Sequence, residues 1–398
     1  MRVLAACSLG GAGHLQPLVP LLDAARRRGH ETLVVAPPSL GGMVDATGHA
    51  FRAGGEPAER DIAPIRERLP VIPAREASVL GNRELFGRLA TTAMLPAMER
   101  VVAGWKPNLV LRDPCEYASA VVAHGWGVDA AQVAIGLAAV EWGSIVVAGP
   151  ALEVRRSGLA DELRASPYVT RFPVSLDPSP FPDTRRFRET APVLRRRLPN
   201  WWGGSRAPLV YVTFGTVLGH MSMAAEVYRV AMRAVAGIHA RVLLTTGRHF
   251  DVTQLGPIPG NVHVESWVDQ AHVFAEAEVV VCHGGSGTTF GALGAGVPVV
   301  IVPLFADQFA NSPKVTEADA GVVVERDGDS HRRTLSEDDT APITEAVETV
   351  LSHSSYRERA HDVAAQMAMG PTADELLAEL LAANGKIGSS GSSSPTGR

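Results

Sequence analysis

The 398-residue chain has three cysteines, Cys7, Cys115 and Cys282, far apart and without metal-ligand spacing. Cys7 and Cys282 end apolar runs and read as buried, reduced thiols. Lysine occurs only at 106, 314 and 386 while arginine is abundant, a coding bias that says little about function. No uninterrupted apolar run reaches the roughly 18 residues that span a bilayer, and Glu141 breaks the best candidate. The opening MRVLAACSLGG has one arginine and too short an apolar run for a signal peptide, so a cytoplasmic location is expected. A net charge of −5 gives no electrostatic reason to expect nucleic acid.

Several motifs are missing as well. There is no Walker P-loop and no GxSxG elbow. Gly11-Ala-Gly13-His14-Leu-Gln16 approaches the dinucleotide fingerprint, but Gln16 replaces the third glycine. The second strand ends on Ala36 rather than an acid, so a nicotinamide cofactor is not expected. The one D-x-D, Asp327-Gly328-Asp329, follows the strand Val322–Val324 and reads as a solvated turn. No metal or other cofactor is expected.

What is present is a repeated strand–turn–helix pattern in a chain long enough for two domains. Val3–Cys7, a stripe of apolar residues over Leu15–Arg28, and Glu31–Ala36 make one βαβ unit and imply a parallel sheet. A helix is expected over Asn82–Val102, a strand over Asn108–Leu111, a helix over Tyr117–His124 and a strand over Ala131–Ile135. Residues 141–200, with eight prolines and the arginines 185, 186, 188 and 195–197, read as a variable stretch and a solvated connection. The pattern restarts with Leu209–Phe214 and continues through Ala240–Thr245, Asn261–Glu265 and Val279–Cys282. The expected fold is α/β, two Rossmann-like domains with parallel sheets facing across a cleft. The boundaries are 1–200 with its linker, 205–368, a final helix over 369–384 that crosses back to the first domain, and a disordered tail over 385–398.

Ligands of such sheets bind beyond the carboxyl ends of the strands. His14, Asp113, Gly215, Trp267, His283 and Asp307 all follow expected strands closely. A free imidazole titrates near about 6.5, so His14 could take a proton from a hydroxyl at neutral pH. Asp113 is the leading candidate to orient it through the other ring nitrogen, and Glu116 the second. Val279–Cys282 runs into His283-Gly284-Gly285-Ser286-Gly287-Thr288 and a small-residue helix, which together offer backbone N–H groups and a positive dipole end to an anion. His283 and Thr288 would add side-chain donors, Trp267 a stacking face for a base, and Asp307 with Gln308 partners for sugar hydroxyls. The acceptor wall, residues 40–100 and 141–180, carries no readable code; Gly13, Glu116 and Trp142 are its candidate contacts.

These motifs, from Gly11-Ala-Gly-His14-Leu-Gln-Pro17 through Phe214-Gly215-Thr216 and Trp267-Val268-Asp269-Gln270 to His283-Gly-Gly-Ser-Gly-Thr288 and Asp307-Gln308-Phe-Ala-Asn311, resemble the inverting nucleotide-sugar glycosyltransferases of the GT-B fold. The likeness covers residues 1–384 and is greatest to the bacterial branch that glycosylates antibiotics and other polyketide aglycones. The resemblance implies that His14 deprotonates the acceptor with Asp113 as partner. It also implies that Trp267 and Val268 hold the base, that Gly215, Thr216, His283, Gly285, Ser286, Gly287 and Thr288 hold the diphosphate, and that Asp307 and Gln308 contact the sugar. The expected co-substrates are a TDP- or UDP-sugar and a small-molecule aglycone, with no metal, and a homodimer is compatible with the reading. Asp269 departs from the family, which often has proline there. A nucleotide-sugar 2-epimerase on the same fold and a non-catalytic partner protein are the rival readings.

Overall fold

The computed structural model describes residues 1–69, 72–189, 197–325 and 334–387. The Asp327-Gly328-Asp329 turn, Arg195, Arg196 and the tail beyond Ile387 lie outside those residues. The chain divides into two compact units, Met1–Thr190 with Gly370–Arg398, and Ala191–Met369.

In the first unit β1 (Arg2–Ala6), β2 (Glu31–Ala36), β3 (Ala50–Ala53), β4 (Leu109–Arg112), β5 (Asp129–Val133), β6 (Tyr168–Thr170) and β7 (Thr184–Arg186) form a parallel sheet of order β3-β2-β1-β4-β5-β6-β7. Val3 lies opposite Thr32 on one side and Leu109 on the other. Such a central strand is covered on both faces, which is why Val3 to Ala6 are all apolar and all buried. The prolines divide the helix expected over Leu15–Arg28. Pro17 sits in a tight turn, Gln16–Leu18, and Pro20 at the start of the helix Val19–Arg27, where its missing N–H costs little.

Residues 141–200 depart from expectation. Helices Ala138–Glu153 and Leu159–Ala165 and strands β6 and β7 occupy much of this stretch. Its proline spacing hid them, and three-residue strands carry too little periodicity to read. Nor are the first arginines a solvated face. Arg186 donates to the carbonyls of Phe172 and Asp177, and Arg185 pairs with Asp183 at 2.9 Å.

The second unit repeats the plan with β8 (Leu209–Thr213), β9 (Arg241–Thr245), β10 (Val262–Glu265), β11 (Val279–Cys282), β12 (Val299–Ile301) and β13 (Gly321–Val323), all parallel, in the order β10-β9-β8-β11-β12-β13. It begins earlier than the expected 205. The Leu198 N–H donates to Glu276, the Trp202 indole donates to the Asn261 carbonyl, and Trp201 stacks on His263 at 4.3 Å. These contacts tie residues 198–202 to the second core.

The last helix, Ala373–Ile387, belongs to the first unit. Leu376, Leu377 and Leu380 pack with Leu18, Leu21 and Leu22, and Arg27 pairs with Asp374 at 2.6 Å. Residues 385–387, expected in the disordered tail, extend this helix. Among the described residues no helix is long and apolar enough to cross a membrane.

Candidate active site

In each sheet the strand order reverses once, between β1 and β4 and between β8 and β11. Such reversals open a crevice at the carboxyl ends of the two strands. Most of the chemistry-bearing residues fall at or beside these two points.

In the first unit, His14 lies in the turn Ala12–Leu15 that follows β1, and Asp113 follows β4 directly. Asp113 is fully buried, and backbone N–H groups hold both its oxygens, Ser8 on Oδ2 at 2.5 Å and Cys115 on Oδ1 at 2.7 Å. Oδ1 also meets His14 Nδ1 at 3.2 Å. A carboxylate fixed in this way places a proton on Nδ1 and leaves Nε2 as the basic nitrogen. Two features that the sequence reading overlooked hold the imidazole in place. A Cβ on Gly10 would stand 2.2 Å from His14 Cδ2, and Gly10 has φ 133, so only glycine fits. Phe86, on the helix Val79–Ala90, stacks on the ring at 5.8 Å and 26°. Gly13 opens onto free space, where a Cβ would meet nothing within 4 Å.

Glu116 does neither job considered for it. It is buried, and its oxygens accept from the Ala118 and Ser119 N–H groups at the start of the helix Ala118–Trp126, at 3.0 Å each. It therefore neither orients His14 nor reaches an acceptor; it anchors a helix N-terminus. Trp142 is half-buried. Its ring meets Phe181 edge-on at 5.1 Å and carries the Arg164 guanidinium at 5.2 Å.

In the second unit, Gly285 precedes the helix Ser286–Gly294, and no side chain caps its first turn. The turn is open at Gly287, which is exposed and where a Cβ would meet nothing within 4 Å. The His283 ring lies over two glycines. A Cβ on Gly285 would come within 2.6 Å of it and one on Gly215 within 3.0 Å. Burial holds the His283 imidazole down at about 4, so it is neutral near pH 7, and its Nδ1 has no partner. A neutral ring with an unpaired nitrogen beside uncapped N–H groups suits an anionic oxygen.

The other expected donor residues lie at neighbouring strand ends. Thr216 is exposed after β8, and Trp267 is half-exposed after β10, beside Val268. The Arg248 guanidinium, from the end of β9, sits 4.7 Å from the Trp267 ring centroid. Gln270 donates to Thr288 Oγ1 at 3.3 Å, which leaves the Thr288 hydroxyl proton for a ligand. After β12, Ser286 Oγ and Asn311 Nδ2 both donate to Asp307 Oδ2, at 2.8 and 3.0 Å. Ser286 is thus occupied in holding Asp307. Gln308 is buried, and its Oε1 accepts from the Leu304 and Phe305 N–H groups, so only its Nε2 could meet a sugar. Ala306, just before Asp307, has φ 58, a conformation costly for a residue with a Cβ.

Two parallel-sheet Rossmann-like units, each with a histidine at its switch point, define the chain as a GT-B protein. Residues 229–383 match the erythromycin biosynthesis protein CIII-like, C-terminal domain family. The chain is 30% identical to the L-demethylnoviosyl transferase of Streptomyces niveus, over 96% of this chain and 98% of that one. It is 29% identical to the elloramycin glycosyltransferase of Streptomyces olivaceus, covering 97% and 98%. Its fold is that of the spinosyn rhamnosyltransferase SpnG, with a TM-score of 0.77, 21% identity and coverage of 96% and 100%. That protein has also been solved with thymidine diphosphate and with spinosyn aglycone. The chain belongs to the bacterial antibiotic glycosyltransferases and is a sugar-transferring enzyme.

Proposed function

We propose that the enzyme moves a sugar, in the TDP-linked deoxysugar class, from its nucleoside diphosphate to a hydroxyl or electron-rich aromatic carbon of a polyketide-type aglycone, with inversion at the anomeric carbon. The observation that carries this reading is the His14–Asp113 pair, an imidazole whose Nδ1 is engaged by a wholly buried carboxylate at 3.2 Å. In this reading His14 Nε2 takes the acceptor's proton as its oxygen attacks the anomeric carbon from the face opposite the diphosphate. Asp113 steadies the imidazolium that forms. The C–O bond to the leaving diphosphate breaks, and its negative charge is met by the N–H groups at Ser286–Thr288 with His283 beside them. No step in this scheme calls for a metal ion. Binding of the nucleobase is supported by Trp267 as a stacking face, and the TDP preference by the solved relative that carries that nucleotide.

Removing a positioned general base costs about 10²–10⁴-fold in turnover. His14→Ala should therefore lose about that much kcat while binding thymidine diphosphate as the parent does, measured by calorimetry. Equal loss of nucleotide affinity would overturn the assignment of His14. Incubation with donor alone separates the isomerase reading, since a new sugar nucleotide without acceptor would favour the 2-epimerase.

A further inference from the structure

The sequence shows no metal-ligand spacing, yet folding brings three ligand types to one point. One ligand atom from each of His14, Asp113 and Cys115 lies within 4.8 Å of the other two. Cys115 is two residues beyond Asp113 and half-buried, the His14 side chain is 13% exposed, and the Asp113 side chain is wholly buried. Cys7, the other thiol of this unit, is completely buried and donates to the Ser8 carbonyl at 3.5 Å.

We propose that this cluster is an inhibitory site for a thiophilic divalent cation of the zinc type. Its inhibitory effect rests on the proposed role of His14 as base, whereas the binding of the cation rests on the geometry of the cluster alone. The 3.2 Å between His14 Nδ1 and Asp113 Oδ1 is about the separation of two ligands that share a tetrahedral zinc with bonds near 2.0–2.2 Å. An ion can thus replace the bridging proton with little movement of either group. The Cys115 thiol then closes in by up to about an ångström to complete three protein ligands, with water in the fourth position. A set of one nitrogen, one oxygen and one sulfur suits zinc, cobalt or cadmium better than magnesium or calcium.

Proton balance follows from the donors. The Cys115 proton passes to solvent as the sulfur coordinates; burial holds this thiol well above its ordinary value, and the cation's charge offsets that cost. The imidazole proton leaves Nδ1 for solvent and another is taken up at Nε2, so His14 stays neutral in the opposite tautomer. An imidazole with hydrogen on Nε2 cannot accept the proton of a bound hydroxyl. The cation therefore blocks transfer by fixing the tautomer rather than by displacing the nucleotide.

Cobalt is the probe, because a cobalt–thiolate bond gives an intense near-ultraviolet charge-transfer absorption that oxygen and nitrogen ligands do not. Full-length protein titrated with Co²⁺ should develop this band with one equivalent bound, and added Zn²⁺ should bleach it. Cys115→Ser should abolish the band and weaken Co²⁺ binding by about 10–100-fold or more. Cys7→Ser and Cys282→Ser should keep it, and thymidine diphosphate affinity should not change with zinc. A band that survives in Cys115→Ser, or is lost only in Cys7→Ser, overturns the site. So does parent protein that takes up Co²⁺ without any charge-transfer band, a result independent of whether any variant folds.

Discussion

The two units share a strand order and each has a histidine beside its switch point, on opposite strands of it, and the two imidazoles have different partners. His14 follows β1, and its Nδ1 meets the buried Asp113 carboxylate at 3.2 Å. His283 follows β11, and its Nδ1 meets nothing. In the first unit the neighbouring strand end supplies a carboxylate to the ring. In the second, burial disfavours the cationic form and holds the His283 imidazole down at about 4, so the ring is neutral near pH 7. In the proposed reaction a ring that gains and loses a proton calls for a counter-charge, whereas one beside a diphosphate would serve as a neutral donor. The fold alone therefore does not decide what a switch-point histidine does; the residue that follows the adjacent strand does.

Both rings also depend on glycine, and this dependence offers the largest test of the comparison. Gly10→Val would drive a side chain into the His14 ring, where even a Cβ would be 2.2 Å from Cδ2. The ring must leave Asp113, and kcat should fall by about 10²–10⁴-fold, as for losing the base itself. Circular dichroism and nucleotide affinity should stay those of the parent, because the second unit is untouched. Retention of most activity would mean that His14 does not need the Asp113 contact.

Much of this contrast was legible in the residues. Strand ends at His14, Asp113, Gly215, Trp267, His283 and Asp307 follow from apolar runs that stop at glycine or polar residues, and the parallel sheets follow from strand–helix alternation. The partner of His14 was legible only as a choice between Asp113 and Glu116, since both follow one strand within four residues. The structure separates them because Glu116 is consumed by the helix that starts at Ala118. Gly10 and Phe86 could not be found, as their importance lies in contacts with a ring distant in sequence. Trp142 misled for the opposite reason: an aromatic in an unassigned stretch looks available until its packing against Phe181 is seen. Arg248 carried no signal either, because only the sheet order puts β9 beside β10.

The second test uses pH, because the two units hold buried titratable groups of opposite kind. In the first, Glu141 is buried, accepts from the Ile135 and Gly136 N–H groups at 2.8 and 2.6 Å, and is pushed up to about 8 by desolvation. The folded state therefore holds its proton where the unfolded chain, near the ordinary 4.5, has lost it. That contribution to stability is full below about 4.5 and disappears as pH rises through 8. His283 acts in reverse. Its proton is bound more tightly by the unfolded chain, so stability falls as pH drops from the ordinary 6.5 towards about 4. Melting curves between these limits should show Glu141→Gln gaining on the parent as pH rises, by on the order of a few kcal/mol. His283→Gln should gain on the parent as pH falls. Parallel curves for either pair would show that the group in question does not titrate between folded and unfolded states in that range.

The smallest expected effect concerns how the two units make their turns. The first puts its left-handed conformations after β1 on glycines, Gly10 at φ 133 and Gly11 at φ 76, where they cost little. The second puts one on Ala306 at φ 58, immediately before Asp307, where a Cβ is crowded against the following carbonyl. Asp307 in turn is clamped by Ser286 and Asn311, so the strained residue sets the angle at which the carboxylate enters a fixed network. Ala306→Gly should relieve the strain and raise stability by about 0.5–1 kcal/mol, less the entropy that glycine adds to the unfolded chain. If the strain serves to aim Asp307, the same change should raise the KM for the sugar nucleotide without altering kcat, because His14, the proposed base, lies in the other unit. A rise in Tm with an unchanged KM would instead make Ala306 a tolerated cost of the turn, and Asp307 would owe its position to Ser286 and Asn311 alone.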